Sequence, residues 1–96
     1  MGLLVNLKSQ TLVFRFYHGE TGTECTVNNL ESGVLFQLGV GKTVLHPSDH
    51  LNRKVGRKLA LTRALSQVDL SKEERKVVWH QYFEKHNDLK ENPVVL

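Results

Sequence analysis

Residues 51–65 read LNRKVGRKLALTRAL, and this stretch separates a strand-like first half of the chain from a helical second half. Apolar and small residues recur in it at intervals of three or four, which is the spacing of one helix face. We therefore expect a helix over about residues 51–67, which Ser48, Asp49 or Asn52 can cap.

The first half of the chain is predicted to form an antiparallel sheet, because β-branched and aromatic residues cluster in short runs between turn residues. The predicted strands are residues 3–7, 11–18, 23–28, 34–38 and 43–45. Turns are expected at residues 19–22 and 28–29. Residues 39–43, GVGKT, resemble the tail of a phosphate loop. They lack the earlier glycine spacing and lead into a strand-like run, so a hairpin turn is predicted across residues 39–41 instead.

A second helix is predicted to start at Ser71, because Ser71-Lys72-Glu73-Glu74 has the spacing of a capping box. Its apolar face comprises Val78, Trp79, Tyr82, Phe83 and His86. The fold class is therefore α+β: a small antiparallel sheet followed by two helices packed on it. Residues 1–96 are expected to form a single domain, with strands over 1–46, two helices over 47–87 and a tail over 88–96.

The first predicted helix has three faces. Its sheet-facing stripe is predicted to be Leu51, Val55, Leu59 and Thr62, and a second apolar patch Leu61, Leu65 and Val68. Small residues form the remaining side, namely Gly56, Ala60 and Ala64. We expect this side to let another helix, a copy of itself or a ligand approach the backbone closely, with ordinary packing as the alternative.

Positive charge is concentrated on this helix. Between residues 42 and 68 there are six lysines and arginines and one acid, Asp49, although the net charge of the chain is only +3. Cations in a first helical turn are unfavourable by about 0.3–1 kcal/mol each, and no acid lies in residues 53–68 to relieve them. A bound phosphate would reverse this balance. The alternative is a solvated basic face.

Six residues are therefore candidates for ligand binding, without any catalytic role. They are His46, Asn52, Arg53, Lys54, Gly56 and Arg57. The arginines would hold phosphates through paired N–H groups, and Gly56 would let the ligand come near the backbone. His46 would cover a base or help to hold the anion, and Asn52 would read a base edge or cap the helix.

Several other classes of site are disfavoured. Cys25 is the single cysteine, so we expect no internal disulfide, an inert buried thiol and a reducing cytoplasm. Pro47 keeps His46 and His50 off one regular helix turn, which argues against zinc. No set of nucleophile, base and orienting group is evident, and no apolar run is long enough for a membrane span. We therefore expect no catalysis, metal, cofactor or membrane partner.

Residues 46–65, HPSDHLNRKVGRKLALTRAL, resemble a segment of small phage-encoded proteins in which H-P-x-D leads into N-R-K-x-G-R and A-L-x-R-A-L. This segment, about a fifth of the chain, is similar to that of viral sponge proteins of the anti-CBASS kind, which sequester cyclic dinucleotide immune signals. The resemblance implies a non-catalytic homo-oligomer, possibly a tetramer, in the host cytoplasm. Its ligand would be 3′3′-cyclic GMP–AMP.

Two rival functions are compatible with the same charges. The first is a phage inhibitor module whose basic helix binds nucleic acid or another protein, although the basic patch is short and the net charge small. The second is an enzyme acting on a nucleotide, which the missing catalytic set disfavours.

Overall fold

A computed structural model describes residues 2–44 and 53–86, with the backbone alone for Arg53, Lys54 and His86. Four strands are followed by two helices, which confirms the predicted α+β class. The elements are β1 (Gly2–Asn6), β2 (Thr11–Gly19), β3 (Gly22–Glu31), β4 (Val34–Val44), α1 (Arg53–Leu65) and α2 (Lys72–His86). Within the described ranges, neither helix is long and apolar enough to cross a bilayer.

The sheet is an antiparallel meander in the order β1-β2-β3-β4. The predicted turn at residues 19–22 is confirmed, whereas the turn predicted at residues 28–29 is wrong, because β3 continues through them. Asn28 is 8% exposed, and its Nδ2 donates to the carbonyl oxygen of Val13 at 3.2 Å. The amide is thus satisfied across the sheet. The chain turns instead at Ser32 and Gly33, whose φ angles are 52° and 78°.

The hairpin predicted at residues 39–41 is also wrong, because β4 is one continuous strand through them. Its two glycines make room for α1. A Cβ atom at Gly41 would overlap the backbone carbonyl oxygen of Ala60, and one at Gly39 would lie 2.9 Å from the Cβ atom of Gln67. The glycines of β4 are therefore needed where a helix lies against the sheet, and not where the chain reverses.

The small-residue face of α1 is the one that packs on β3 and β4. Ala60 and Ala64 are fully buried, and a Cβ atom on Gly56 would lie 2.6 Å from Oγ1 of Thr23. The sheet-facing stripe predicted for α1 is wrong, since Val55 is 50% and Leu59 45% exposed. The helix lies so close to the strands that only small side chains fit between them.

The other side chains predicted for that stripe are Leu51, which lies outside the described residues, and Thr62, which is exposed. The second patch of α1 is apolar core as expected, because Leu61 and Leu65 are buried and Val68 is partly buried.

The capping box at the start of α2 is confirmed. The backbone N–H of Glu74 donates to Ser71 Oγ at 3.1 Å, and the N–H of Ser71 donates to Glu74 Oε1 at 3.0 Å. α2 packs against β1, with Val78 and Tyr82 fully buried and Trp79 and Phe83 partly buried. The side chain of His86 lies outside the described part of the chain.

Replacing Gly41 with alanine tests the close approach of α1 to the sheet. The new methyl group would overlap the backbone of α1, so the helix or strand has to shift. We expect the free energy of unfolding in urea to fall by about 1–3 kcal/mol. In the control Gly2→Ala, the added Cβ would make an ordinary 3.4 Å contact, and a change within about 0.5 kcal/mol is expected. Equal effects of the two substitutions would contradict this packing.

Candidate anion-binding site

Arg57 is a buried cation beside the amino-terminal part of α1. Because Gly56 rests on the sheet, the next residue points about 100° around the helix, towards α2. The side chain of Arg57 is only 9% exposed, and its Nε donates to the hydroxyl of Tyr82 at 3.2 Å. This hydrogen bond joins the two helices across the core.

The charge of Arg57 has no acidic counterpart among the described residues. The ion pairs found there join Lys42 to Glu24 and Lys76 to Glu73, and Nε2 of His80 lies 3.2 Å from Oε1 of Glu84. Within the same ranges, the Nη1 and Nη2 atoms of Arg57 make no hydrogen bond. A buried charge is normally paired, because leaving water costs it much solvation energy. Among the described residues, Nη1 and Nη2 therefore keep the capacity to donate two parallel hydrogen bonds to an anion.

An aromatic cluster holds the partner of Arg57 in place. The ring of Tyr82 lies 5.9 Å from Phe16 on β2, and 5.6 Å and 5.5 Å from Trp79 and Phe83 on α2, measured between ring centroids. Tyr82 is fully buried, so its hydroxyl has a fixed position from which to orient the guanidinium. The apolar face of α2 is therefore both core, as predicted, and the support of the candidate site.

A second polar group lies beneath Gly56, at the ends of β2, β3 and β4. The Nδ1 of His18 is 3.0 Å from Oγ1 of Thr23, whose backbone N–H donates to Oγ1 of Thr43 at 3.2 Å. The Thr43 hydroxyl in turn donates to the carbonyl oxygen of Thr23 at 3.3 Å. The predicted close approach at Gly56 is thus made by the sheet, at Thr23, and the glycine serves packing there.

The six predicted ligand-binding residues are covered unequally by the structure. Arg57 and Gly56 lie side by side at the start of α1, on the helix side of the sheet. The backbone of Arg53 and Lys54 begins α1, but their side chains, like the whole of His46 and Asn52, lie outside what is described. Ligand contact by each of the six stays a prediction.

Sequence reasoning places Tyr82 in the core but misses its role as the partner of Arg57. The two residues are 25 positions apart and belong to different helices. The available signal is that a tyrosine on an apolar helix face needs a hydrogen-bond partner for its hydroxyl. This signal predicts that the Tyr82 hydroxyl has a hydrogen-bond partner, but it does not identify which residue the partner is.

Cys25 does not supply a reactive group. It is fully buried, and burial, followed by the charge of Glu24, raises the pKa of its thiol from 9.0 to about 12. Among the described residues, no three histidine, cysteine or acidic side chains are grouped as metal ligands. No protein-family model, curated protein or solved structure matches the chain.

Replacing Tyr82 with phenylalanine tests the contact between Arg57 and Tyr82. It removes one hydroxyl and leaves the buried Nε–H of Arg57 without its acceptor. We expect a loss of about 1–3 kcal/mol in urea unfolding, the usual cost of stranding a buried donor. Tyr17 is 50% exposed, so Tyr17→Phe is a matched control that should change stability by less than about 0.5 kcal/mol. An unchanged Tyr82→Phe protein would argue against the contact.

Thiol labelling tests the environment of Cys25. Because its folded pKa is raised, the thiol stays protonated in the folded state at pH 8 and should resist a thiolate-specific reagent. In the unfolded state the thiol ionises near pH 9.0. The contribution of Cys25 to the stability of the folded state is therefore fully present below pH 9.0 and falls as the pH rises towards 12. Labelling should therefore follow unfolding in denaturant. Rapid labelling of the native protein would contradict this arrangement.

Proposed function

We propose that this chain is a non-catalytic binding protein that sequesters a small anionic nucleotide, a cyclic dinucleotide such as 3′3′-cyclic GMP–AMP. The supporting observation is the buried guanidinium of Arg57, held at Nε by Tyr82 and without an acidic partner among the described residues. The resemblance of residues 46–65 to viral sponge proteins supports the choice of ligand. The proposed place of action is the cytoplasm of a host cell.

Electrostatics favour an anion at this position. α1 has no acid in its first turn, and the amino terminus of a helix is the positive end of its backbone dipole. A phosphate that entered beside Arg57 would neutralise a charge that no acid in residues 2–44 and 53–86 pairs with. The gain is larger in a recessed site than in open water, because the lower dielectric strengthens the attraction.

The recessed position of Arg57 favours a small ligand over a polymer. A nucleic-acid backbone is contacted mainly by exposed lysines and arginines, whereas Arg57 is only 9% exposed. The described residues contain one buried guanidinium, that of Arg57, which suits one phosphate. A cyclic dinucleotide carries two, so the second would be met by Arg53 or Lys54 of the same chain or by the Arg57 of another copy.

A double variant separates ligand binding by Arg57 from its role in the fold. Arg57→Met in a Tyr82→Phe background removes the cation and its partner hydroxyl together, which is often neutral or stabilising for a protein. We expect the double variant to be at least as stable as Tyr82→Phe alone. In calorimetric titration with 3′3′-cyclic GMP–AMP, we expect its affinity to be weaker than that of Tyr82→Phe by about 10- to 100-fold.

Lys72→Gln is the matched charge control, because Lys72 is an exposed cation in the first turn of α2. It should bind like wild type, and the bound ligand should be recovered intact. Degraded ligand would favour an enzyme. Binding to duplex DNA with a steep salt dependence, and no preference for a nucleotide, would favour the nucleic-acid module. Equal affinities of the double variant and Tyr82→Phe would overturn the proposal.

A further inference from the structure

β4 is an edge strand, and side chains of α1 and the turn after it cover the second half of its free edge. Gln67 accepts a hydrogen bond from the backbone N–H of Val40 at 2.9 Å and donates to its carbonyl oxygen at 2.6 Å. Arg63 donates to the carbonyl oxygen of Lys42. These contacts imitate a fifth strand, so this half of the edge is closed to further pairing.

The first half of the edge, residues 34–38, is open within the described part of the chain. Ser32 and Gly33 both have positive φ, as in a type I′ loop, and the flanking residues Glu31 and Val34 are register partners. Hydrogen-bonding direction alternates along a strand, so Val34 and Phe36 bond to β3. Leu35 and Gln37 then direct their backbone N–H and C=O groups away from the sheet.

The side chains of this open half are uncharged, and all except Gln37 are apolar. Val34 is 51%, Phe36 51% and Leu38 39% exposed. Natural sheets usually protect an edge with lysine, proline or a covering element, and residues 34–38 contain no charge and no proline. This is therefore a short template for another strand, and it ends at the β-bulge where Leu38 has no register partner on β3.

We propose that a second copy of this chain pairs with the open half of β4, antiparallel and about a two-fold axis at Phe36. The axis brings Leu35 of each copy opposite Gln37 of the other. Each of these two pairs exchanges two main-chain hydrogen bonds, which gives four in all. Phe36 then lies opposite its own copy in a non-hydrogen-bonded pair, where the Cα atoms are about 4.5 Å apart. Directly opposed aromatic residues at such a position attract each other.

A second copy fits this edge because the segment is complementary to itself. Self-pairing places Phe36 against Phe36 and Val34 against Leu38, sets Leu35 opposite the uncharged Gln37, and opposes no like charges. The net charge of +3 per chain does not oppose it strongly. At about 3.3 Å per residue, the two copies of Lys42 would be roughly 40 Å apart, well beyond the screening length of about 8 Å in physiological salt.

The proposed dimer is independent of the proposed ligand site. α1 begins beside Thr23 and Thr43, at the opposite end of β4 from Phe36. Each copy would keep its own Arg57 away from the two-fold axis. Dimerisation can therefore be present or absent whether or not a nucleotide binds.

Sedimentation velocity over a range of concentrations tests the pairing. We expect the mass to approach twice that of the chain as concentration rises, since a short edge makes a small, dissociable interface. Phe36→Lys would place two ammonium groups at the axis and should keep the protein monomeric, with an unchanged circular dichroism spectrum. Val44→Lys is the matched control, because Val44 is an exposed apolar residue on the same strand, and it should dimerise like wild type.

Cysteine cross-linking tests the register. Phe36→Cys should form a disulfide-linked dimer with oxidised glutathione, whereas Gln37→Cys, which would lie opposite Leu35 of the second copy, should not. Wild type should give no cross-link, because Cys25 is fully buried. A wild-type monomer at all concentrations would overturn the proposal, as would a Phe36→Lys dimer as strong as wild type or equal cross-linking at residues 36 and 37.

Discussion

The close packing of α1 on β3 and β4 is the constraint on which the rest of the structure depends. Gly41 allows the backbone of Ala60 and Ala64 to lie directly on the strand, and Gly56 makes the same approach over Thr23. Two small surfaces in contact fix both the height and the rotation of the helix. The position of every other side chain on α1 follows from that rotation.

One result of this rotation is that an arginine enters the core. Arg57 lies beside the buried face and reaches Tyr82, while the larger Val55 and Leu59 remain half exposed. A hydrophobic residue at position 57 would suit a purely structural core better, since a buried cation without an acid is costly. A ligand that supplies a negative charge, which the described residues do not place beside Arg57, would explain why the cost is tolerated, as in binding sites whose polar groups are held in place before the ligand arrives.

The sequence predicts features that depend on local chemistry. The strand-rich first half, the turn at residues 19–22 and the reciprocal cap of Ser71 and Glu74 all involve neighbours in the chain. The glycines of residues 39–41 are misread because glycine marks both a turn and a place where another backbone comes close. Choosing between a turn and a close approach requires the position of α1 on the sheet, which depends on tertiary structure.

The same limit applies to the candidate site. The concentration of cations around Arg57 is visible in the sequence, and it directs attention to the start of α1. Its burial, and its hydrogen bond to a tyrosine 25 residues away, depend on how two helices are placed on one sheet. Helical periodicity alone assigns the sheet-facing stripe to Val55 and Leu59, because it ranks residues by hydropathy and takes no account of the space available.

The two edges of the sheet, β1 and β4, differ, and this difference affects how many copies an assembly can contain. β1 has only five residues, and Lys85 of α2 donates to the carbonyl oxygen of Gly2 at its start. Pairing of β1 of one copy with β4 of the next would extend without limit into a filament. Pairing of β4 with β4 ends after two subunits. Because the β1 edge is short and Lys85 contacts the start of β1, pairing of β1 with β4 into a filament is disfavoured. The architecture therefore favours a finite particle over a fibre.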